Sequence, residues 1–157
     1  MDEVILARVL HVVGVVLWIG GVAMVTTVLL PSVRRHEAPG QRVGVFERIE
    51  GRFARQARLS TLLVGATGLY LTWADQLWDR FGDPGFWWMH AMLAVWLIFT
   101  AMLFVLEPLF LHRYLIERGR THPEQTFRLI ERLHWFLLAI SLVTVAGAVA
   151  GSHGAAF

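Results

Sequence analysis

The stretch VILARVLHVVGVVLWIGGVAMVTTVLL, from Val4 to Leu30, decides the fold, and Arg8 is its one charged residue. A helix needs about 20 apolar residues to cross a hydrocarbon core roughly 30 Å thick. The stretch exceeds that length, so it predicts a membrane-spanning helix. Asp2 and Glu3 precede it where a signal peptide carries basic residues, so we expect the helix to be retained.

Three further apolar stretches follow, and they predict spans at about 59–73, 86–111 and 133–150. The stretch 59–73 is the shortest, and its small and hydroxyl residues suit close contact between helices in a membrane. We expect the basic residues before it to continue the helix into the interface. With the first span at about 4–30, we expect residues 1–157 to form one integral membrane domain. The predicted fold is all-α, a bundle of four transmembrane helices.

Arginine placement predicts the orientation of the bundle. The segment between spans one and two and the segment between spans three and four are rich in arginine, and the segment between spans two and three carries mainly aspartate. The positive-inside rule therefore places both arginine-rich segments in the cytoplasm and both termini outside. The arginines of the two segments are Arg34, Arg35, Arg42, Arg48, Arg52, Arg55 and Arg58, and Arg113, Arg118, Arg120, Arg128 and Arg132.

The two cytoplasmic segments have the pattern of interfacial helices, with solvated connectors as the alternative. In the first, one helical stripe is apolar and arginines flank it, which is typical of an amphipathic helix on an anionic leaflet. The apolar residues of that stripe are Phe46, Ile49 and Phe53. In the second, Thr121, Pro123 and Glu124 predict a helix start with a capping box and proline at the first position.

The composition agrees with a membrane protein, because 56% of the 157 residues are hydrophobic and the mean hydropathy is +0.56. Cysteine is absent, which excludes disulfides, thiolate metal sites and cysteine nucleophiles. All fourteen basic residues are arginine, and most lie between the apolar stretches. The pI near 9.9 therefore does not indicate a nucleic-acid partner, and we expect the lipid bilayer to be the main one.

Ionisable residues inside membrane spans are costly, and they usually mark a functional site. At a rise of about 1.5 Å per residue, His11 lies roughly 10 Å into the first span and His90 roughly 6 Å into the third. Both enter from the same side of the membrane, so the two imidazoles are predicted at similar depth. We expect them to be joint metal ligands, and hydrogen bonding between helices is the alternative.

The residues around the two histidines suit a flat macrocycle. On the first helix His11 shares a face with Gly14 and Trp18, and on the third His90 shares one with Ala94 and Ala101. Small residues leave room for a cofactor between helices. Two axial imidazoles on haem iron favour electron transfer over oxygen chemistry.

Other ionisable residues give weaker predictions. Arg8 lies one turn outward from His11, where it would meet a haem propionate or simply lie at the interface. His112 and His134 form a second candidate cofactor site, although histidines that reach the interface are the default interpretation. Glu107 precedes Pro108 inside the third span, and we expect an ion pair with an arginine such as Arg113, with proton handling as the alternative.

The first helix carries a resemblance to known proteins. The run LHVVGVVLWIGGVAMVTTVLLPSVRR, from Leu10 to Arg35, resembles the first helix of small bacterial membrane proteins that include the copper-resistance D (CopD) domain and the HemJ-type protoporphyrinogen oxidase. The run FWWMHAML, from Phe86 to Leu93, is similar to the opening of the third helix in the HemJ type. Most of the chain looks like one family within this CopD/HemJ-like group.

The HemJ resemblance implies a b-type haem held by the first-helix histidine, which is His11 here. That family also requires a lysine near the start of its third helix, where this chain has Met92 and where no lysine is available. Protoporphyrinogen oxidation is therefore not expected, and His90 is the predicted second ligand. The CopD resemblance implies copper instead, held by His11, His90 and His153.

Together these observations predict a multi-pass protein of the bacterial inner membrane that binds haem b and transfers electrons in a respiratory or quinol-linked context. The expected partners are a quinone or a redox protein, and a homodimer is left open, as is activity as a haem-dependent oxidoreductase. The alternatives are a CopD-like copper-handling protein and a non-catalytic assembly subunit.

Overall fold

The computed structural model describes residues 2–154, apart from the side chains of Phe110 and His112. Every regular element in this range is helical. Two π-helical segments lie inside long helices, and two short 3-10 turns precede α4. In chain order the elements are α1 (Glu3–Met24), a π segment (Val25–Leu29), α2 (Leu30–His36), α3 (Pro39–Ala74), 3-10 turns (Leu77–Gly82 and Pro84–Phe86), α4 (Trp87–Ala101), a second π segment (Met102–Leu111), α5 (His112–Thr121) and α6 (Pro123–Ser152).

These elements join into four long helical rods, which in chain order are residues 3–36 (α1 to α2), α3, residues 87–121 (α4 to α5) and α6. The first begins after Asp2, whose side chain accepts a hydrogen bond from the Val4 amide at 3.2 Å, and it continues unbroken to His36. The second is α3, with 36 residues, so the predicted continuation of the basic segment into the span at 59–73 is confirmed. It ends where Gln76 takes a left-handed conformation with φ 54°.

Three helices in the described part of the chain are long and apolar enough to cross a membrane: Glu3–His36, Pro84–Leu109 and Pro123–Ser152. The predicted span 59–73 lies in α3, which is not among them because Arg58 and the charged first half of the helix adjoin it. Its most extensive partner is α1. The two backbones approach closely at Gly14, where an added Cβ would lie 2.8 Å from Val64.

The third rod contains an internal proline. Pro108 lies in the second π segment, where the Leu103 carbonyl would need the amide of residue 108 as its partner. Proline has no N–H to donate. Arg58 takes its place, because its Nε donates to the Leu103 oxygen at 3.0 Å.

Two apolar cores follow one another along the axis of the bundle, and they define two halves. The terminal half holds the start of α1 and the end of α6, and the arginine half holds α2, α5 and the adjoining ends of α3 and α6. The core of the terminal half consists of Trp18, Ile19, Val22, Val64, Val95, Phe99, Leu137 and Leu138. The core of the arginine half consists of Val25, Leu30, Val33, Val43, Phe46, Leu115, Phe127 and Ile130.

The second core corrects the prediction of an amphipathic helix lying on a leaflet. Phe46 is only 4% exposed, because it packs against other helices of this chain, and Phe53 lies partly buried between the two cores, whereas Ile49 is exposed. An apolar stripe shows that a face is buried, but not what covers it.

The predicted start of the last helix is confirmed at Pro123, but its capping box does not form. The N-cap is His122, and Thr121 instead donates to the Arg118 carbonyl at 3.3 Å.

Candidate cofactor site

His11 lies at the contact between α1 and α3, and one of its ring nitrogens is hydrogen-bonded. Its Nδ1 is 3.0 Å from Thr67 Oγ1, and that hydroxyl donates its single proton to the Leu63 carbonyl at 2.7 Å. With that proton on the carbonyl, the hydroxyl accepts from Nδ1–H. We therefore predict the Nδ1–H tautomer, in which Nε2 carries the free lone pair.

Gly68 provides the space for this ring. A Cβ at that position would lie 3.1 Å from His11 Cε1, which is closer than carbon atoms normally pack. The ring is partly buried and rests against the α3 backbone. Thr67 therefore sets the rotation of the imidazole, and Gly68 permits its position.

His90 occupies a different environment. It is exposed, its Nε2–H donates to the Phe81 carbonyl at 3.0 Å, and its ring meets the Phe81 ring edge-on with centroids 5.6 Å apart. A surface cavity of about 320 Å³ adjoins it, and Phe81, Gly82, Pro84, Trp87 and His90 line that cavity. The two histidines thus have separate partners, and their joint ligation of one metal stays a prediction.

The face of the third rod that was predicted to meet a macrocycle points away from the bundle. Ala94, Leu97 and Ala101 are exposed along with His90, whereas the neighbouring face, with Val95 and Phe99, is buried. In a membrane, an exposed apolar face carries no cost, so small residues alone do not distinguish inside from outside.

Aromatic side chains fill the interior where small residues suggested room for a cofactor. A side chain added at Gly65 would meet the Trp96 indole, and one at Gly151 would meet Trp88. Gly21 is covered by Phe53 in the same way. The donor chemistry at His11 thus fits an axial haem ligand, but the space between the helices is occupied by side chains of the protein.

The two other predicted cofactor residues have partners of their own. Arg8 forms an ion pair with Asp75, with Nη2 and Oδ2 3.0 Å apart. Trp18 is buried and meets Phe99 edge-on, with ring centroids 4.9 Å apart. The indole Nε1 of Trp18 has no hydrogen-bond partner among the described residues.

Two further histidines of the predicted sites donate to backbone carbonyls of their own helix. His134 Nδ1 donates to Ile130 at 2.9 Å and its ring packs edge-on against Phe46, while His153 Nδ1 donates to Val149 at 2.8 Å. The side chain of His112 lies outside the described residues, so the weaker His112–His134 site stays a prediction. Within the described part of the chain, no three His, Asp or Glu side chains are grouped to hold a metal ion.

Glu107 is paired, as predicted, but with Arg58 rather than with Arg113. Arg58 Nη2 lies 3.2 Å from Glu107 Oε1, while Arg58 Nε donates to the Leu103 carbonyl. The sequence contains many arginines that could pair with Glu107. The feature that favours Arg58 is the Leu103 carbonyl, which Pro108 leaves without a donor. One guanidinium thus pairs with the carboxylate and also bonds to the carbonyl that Pro108 leaves without an amide donor.

Glu50 adjoins this pair in the arginine half, and sequence reasoning missed it. Burial raises the pKa of its carboxyl to about 7, and the negative charges of Glu107 and Glu47 add to the shift, while Arg58 opposes it. A carboxyl group with a pKa near neutrality is suited to accept and release a proton.

Comparison with known proteins identified no relative of this chain. No protein family, no curated protein and no solved structure was found to match the chain.

Proposed function

We propose that the chain is a four-span protein of the bacterial inner membrane, with both termini on the periplasmic side. Charged pairs flank the segment 59–73 of α3: Asp75 with Arg8 at one end, and Arg58 with Glu107 at the other. From Arg58 to Asp75 the helix rises roughly 25 Å, which is close to the thickness of a hydrocarbon core. The arginine-rich segments all belong to the opposite end from the termini, which supports the orientation.

Within this bundle we propose that His11 is an axial ligand of a b-type haem that carries electrons. The observation that supports it is the hydrogen bond between the His11 ring and Thr67, because the predicted Nδ1–H tautomer leaves Nε2 with a free lone pair. Metal-bound histidines usually donate their other N–H to an oxygen in this way, which orients the ring. Bound haem would supply a one-electron couple.

His90 is not required in this proposal. Its ring is exposed and donates to Phe81, so of the two predicted ligands only His11 lies between helices. Indoles fill the gaps between the helices at Gly65 and Gly151, so haem binding between the helices would require side chains there to move. Two residues of α3 support the His11 ring: Thr67 orients the imidazole, and Gly68 leaves room for it.

A reduced-minus-oxidised visible spectrum of the purified protein tests this function. We expect a Soret band with sharp α and β bands in the wild type and in His90→Ala, and their loss in His11→Ala. His153→Ala is the matched control, since that histidine is exposed at the end of α6. Thr67→Val should weaken haem retention by about 10- to 100-fold, the usual effect of removing such a supporting oxygen. A colourless wild type, or an unchanged His11→Ala spectrum, would overturn the proposal.

A further inference from the structure

Three buried polar groups near the centre of the bundle have no hydrogen-bond partner among the described residues. They are Trp18 Nε1, Thr61 Oγ1 and Thr100 Oγ1. Thr61 is 0% exposed and Trp18 is 4% exposed. Buried polar groups in proteins are nearly always paired, and those that are not require an explanation.

The two threonines depart from the pattern of the other buried hydroxyls. A helical hydroxyl normally donates to the carbonyl four residues earlier. Four buried hydroxyls in this bundle do so at 2.7 Å: Thr26, Thr67, Ser141 and Thr144. Thr61 and Thr100 do not, so their hydroxyls are available for another partner.

The two threonines lie where α3 and the third rod contact each other. Arg58 reaches Leu103 on one side of them, and Trp96 Nε1 donates to the Thr61 carbonyl at 2.9 Å on the other. Thr61 lies one turn beyond Arg58, and Thr100 lies one turn before Leu103, so both are about 4.5 Å along the axis from that contact. Thr61 and Thr100 therefore lie at the same level.

Trp18 reaches this level from α1. Its ring packs edge-on against Phe99, the residue before Thr100. It shares a core with Val64, which lies one turn from Thr61 on α3. Three helices thus bring one N–H donor and two hydroxyls to the same depth.

A polar connection leads from this level into the arginine half. Arg58 lies one turn from Thr61 and binds both Leu103 and Glu107, and Glu50 feels the charges of Arg58, Glu107 and Glu47. Towards the terminal half, the space next to Thr61 is closed by the Trp96 indole packed on Gly65.

We propose that water binds between Trp18, Thr61 and Thr100, as the inner end of a hydrated path that begins at Glu50, Glu107 and Arg58. The chemistry selects water, because the occupant must accept from an indole N–H and exchange hydrogen bonds with two hydroxyls. Buried waters typically make about three such bonds. Because all three groups are buried, the occupant must be a small molecule. This path would carry protons from the arginine half to the bundle centre, and it does not depend on haem.

Indole N–H signals of ¹⁵N-tryptophan-labelled protein in nanodiscs test the water site. The Trp18 N–H should show a cross-peak to water and exchange about tenfold faster than the Trp96 N–H, which is committed to the Thr61 carbonyl. Trp18→Phe and Trp96→Phe assign the two signals. A Trp18 indole as protected as that of Trp96, without a water cross-peak, would overturn the proposal.

Two pairs of variants sharpen the test. Thr100→Val keeps the shape but removes a partner of the water, so it should abolish the Trp18 cross-peak, whereas Thr144→Val removes a hydroxyl that is already satisfied by Ile140 and should not. Glu107→Leu should slow exchange at Trp18, while Glu107→Gln, which keeps a polar side chain, should not. Dispersed tryptophan signals show that each variant is folded. Unchanged exchange in folded Thr100→Val and Glu107→Leu would contradict the site and the path, respectively.

Discussion

The two halves of the bundle hold their polar groups in different ways. In the terminal half, a neutral threonine bonds to Nδ1 of His11, and the predicted tautomer leaves Nε2 free. In the arginine half, the charge of Arg58 holds Glu107 and a backbone carbonyl, and Glu50 nearby has a pKa of about 7. The first arrangement suits a ligand that needs a lone pair, and the second suits the uptake and release of protons.

The largest expected effect comes from removing the guanidinium that supports the arginine half. Arg58→Leu leaves Glu107 without its counter-charge and the Leu103 carbonyl without a donor. With side chains 31% and 26% exposed, solvent screens part of the loss, and we expect the free energy of unfolding to fall by about 2–3 kcal/mol.

Thermal unfolding in detergent measures the effect of Arg58→Leu. The matched control is Arg55→Leu on the exposed side of the same helix, which should change stability by less than about 0.5 kcal/mol. Equal losses in the two variants would show that Arg58 has no special role.

The second effect is a pH dependence that Glu50 confers on stability. The folded state raises the pKa of Glu50 from 4.5 to about 7, so it binds the proton more tightly than the unfolded chain does. The free energy of unfolding therefore falls as pH rises from about 4.5 to 7, and the full penalty is present above 7.

Glu50→Gln removes this penalty. It should stabilise the protein by on the order of 1–2 kcal/mol at pH 8, since partial exposure reduces the value that the shift alone implies, and it should have little effect at pH 4. Unfolding curves at both pH values measure the difference. Destabilisation at pH 8 would contradict the proposed environment of Glu50.

The smallest effect concerns the terminal half. Thr67→Val removes the hydroxyl that bonds to Nδ1 of His11, which should cost about 1 kcal/mol in the absence of haem. The same change combined with His11→Phe should cost less than the sum of the two single changes, because their shared hydrogen bond is lost only once. A double-mutant cycle on the melting curves measures this coupling, and strict additivity would show that the bond is absent.

The sequence was sufficient to predict the helices but not the way they face each other. Long apolar runs and terminal signals predicted the helical rods, the continuation of α3 and the start of α6 at Pro123. Small residues suggested that the face with Ala94 and Ala101 pointed inward, yet it is exposed. The reason is physical: in a membrane both faces of a helix are apolar, so hydrophobicity does not mark the buried one.

The sequence also did not predict which residues that are distant in the chain become hydrogen-bond or ion-pair partners. An ion pair for Glu107 was predictable, because a carboxylate at that depth needs a counter-charge. Which arginine supplies it depends on the packing of α3 against the third rod, and the choice of Arg58 follows from the carbonyl freed by Pro108. Thr67 was recognisable only as a packing residue, since nothing local relates it to His11.

Nitrogen NMR of the histidine rings in ¹⁵N-histidine-labelled, haem-free protein examines the proposed ligand directly, with His11→Phe to assign its signals. We predict that His11 has a protonated Nδ1 and an unprotonated Nε2, because Thr67 donates its own proton to the Leu63 carbonyl. A proton on Nε2 of His11 would mean that the imidazole does not offer that nitrogen to iron, and the proposed haem site would then be wrong.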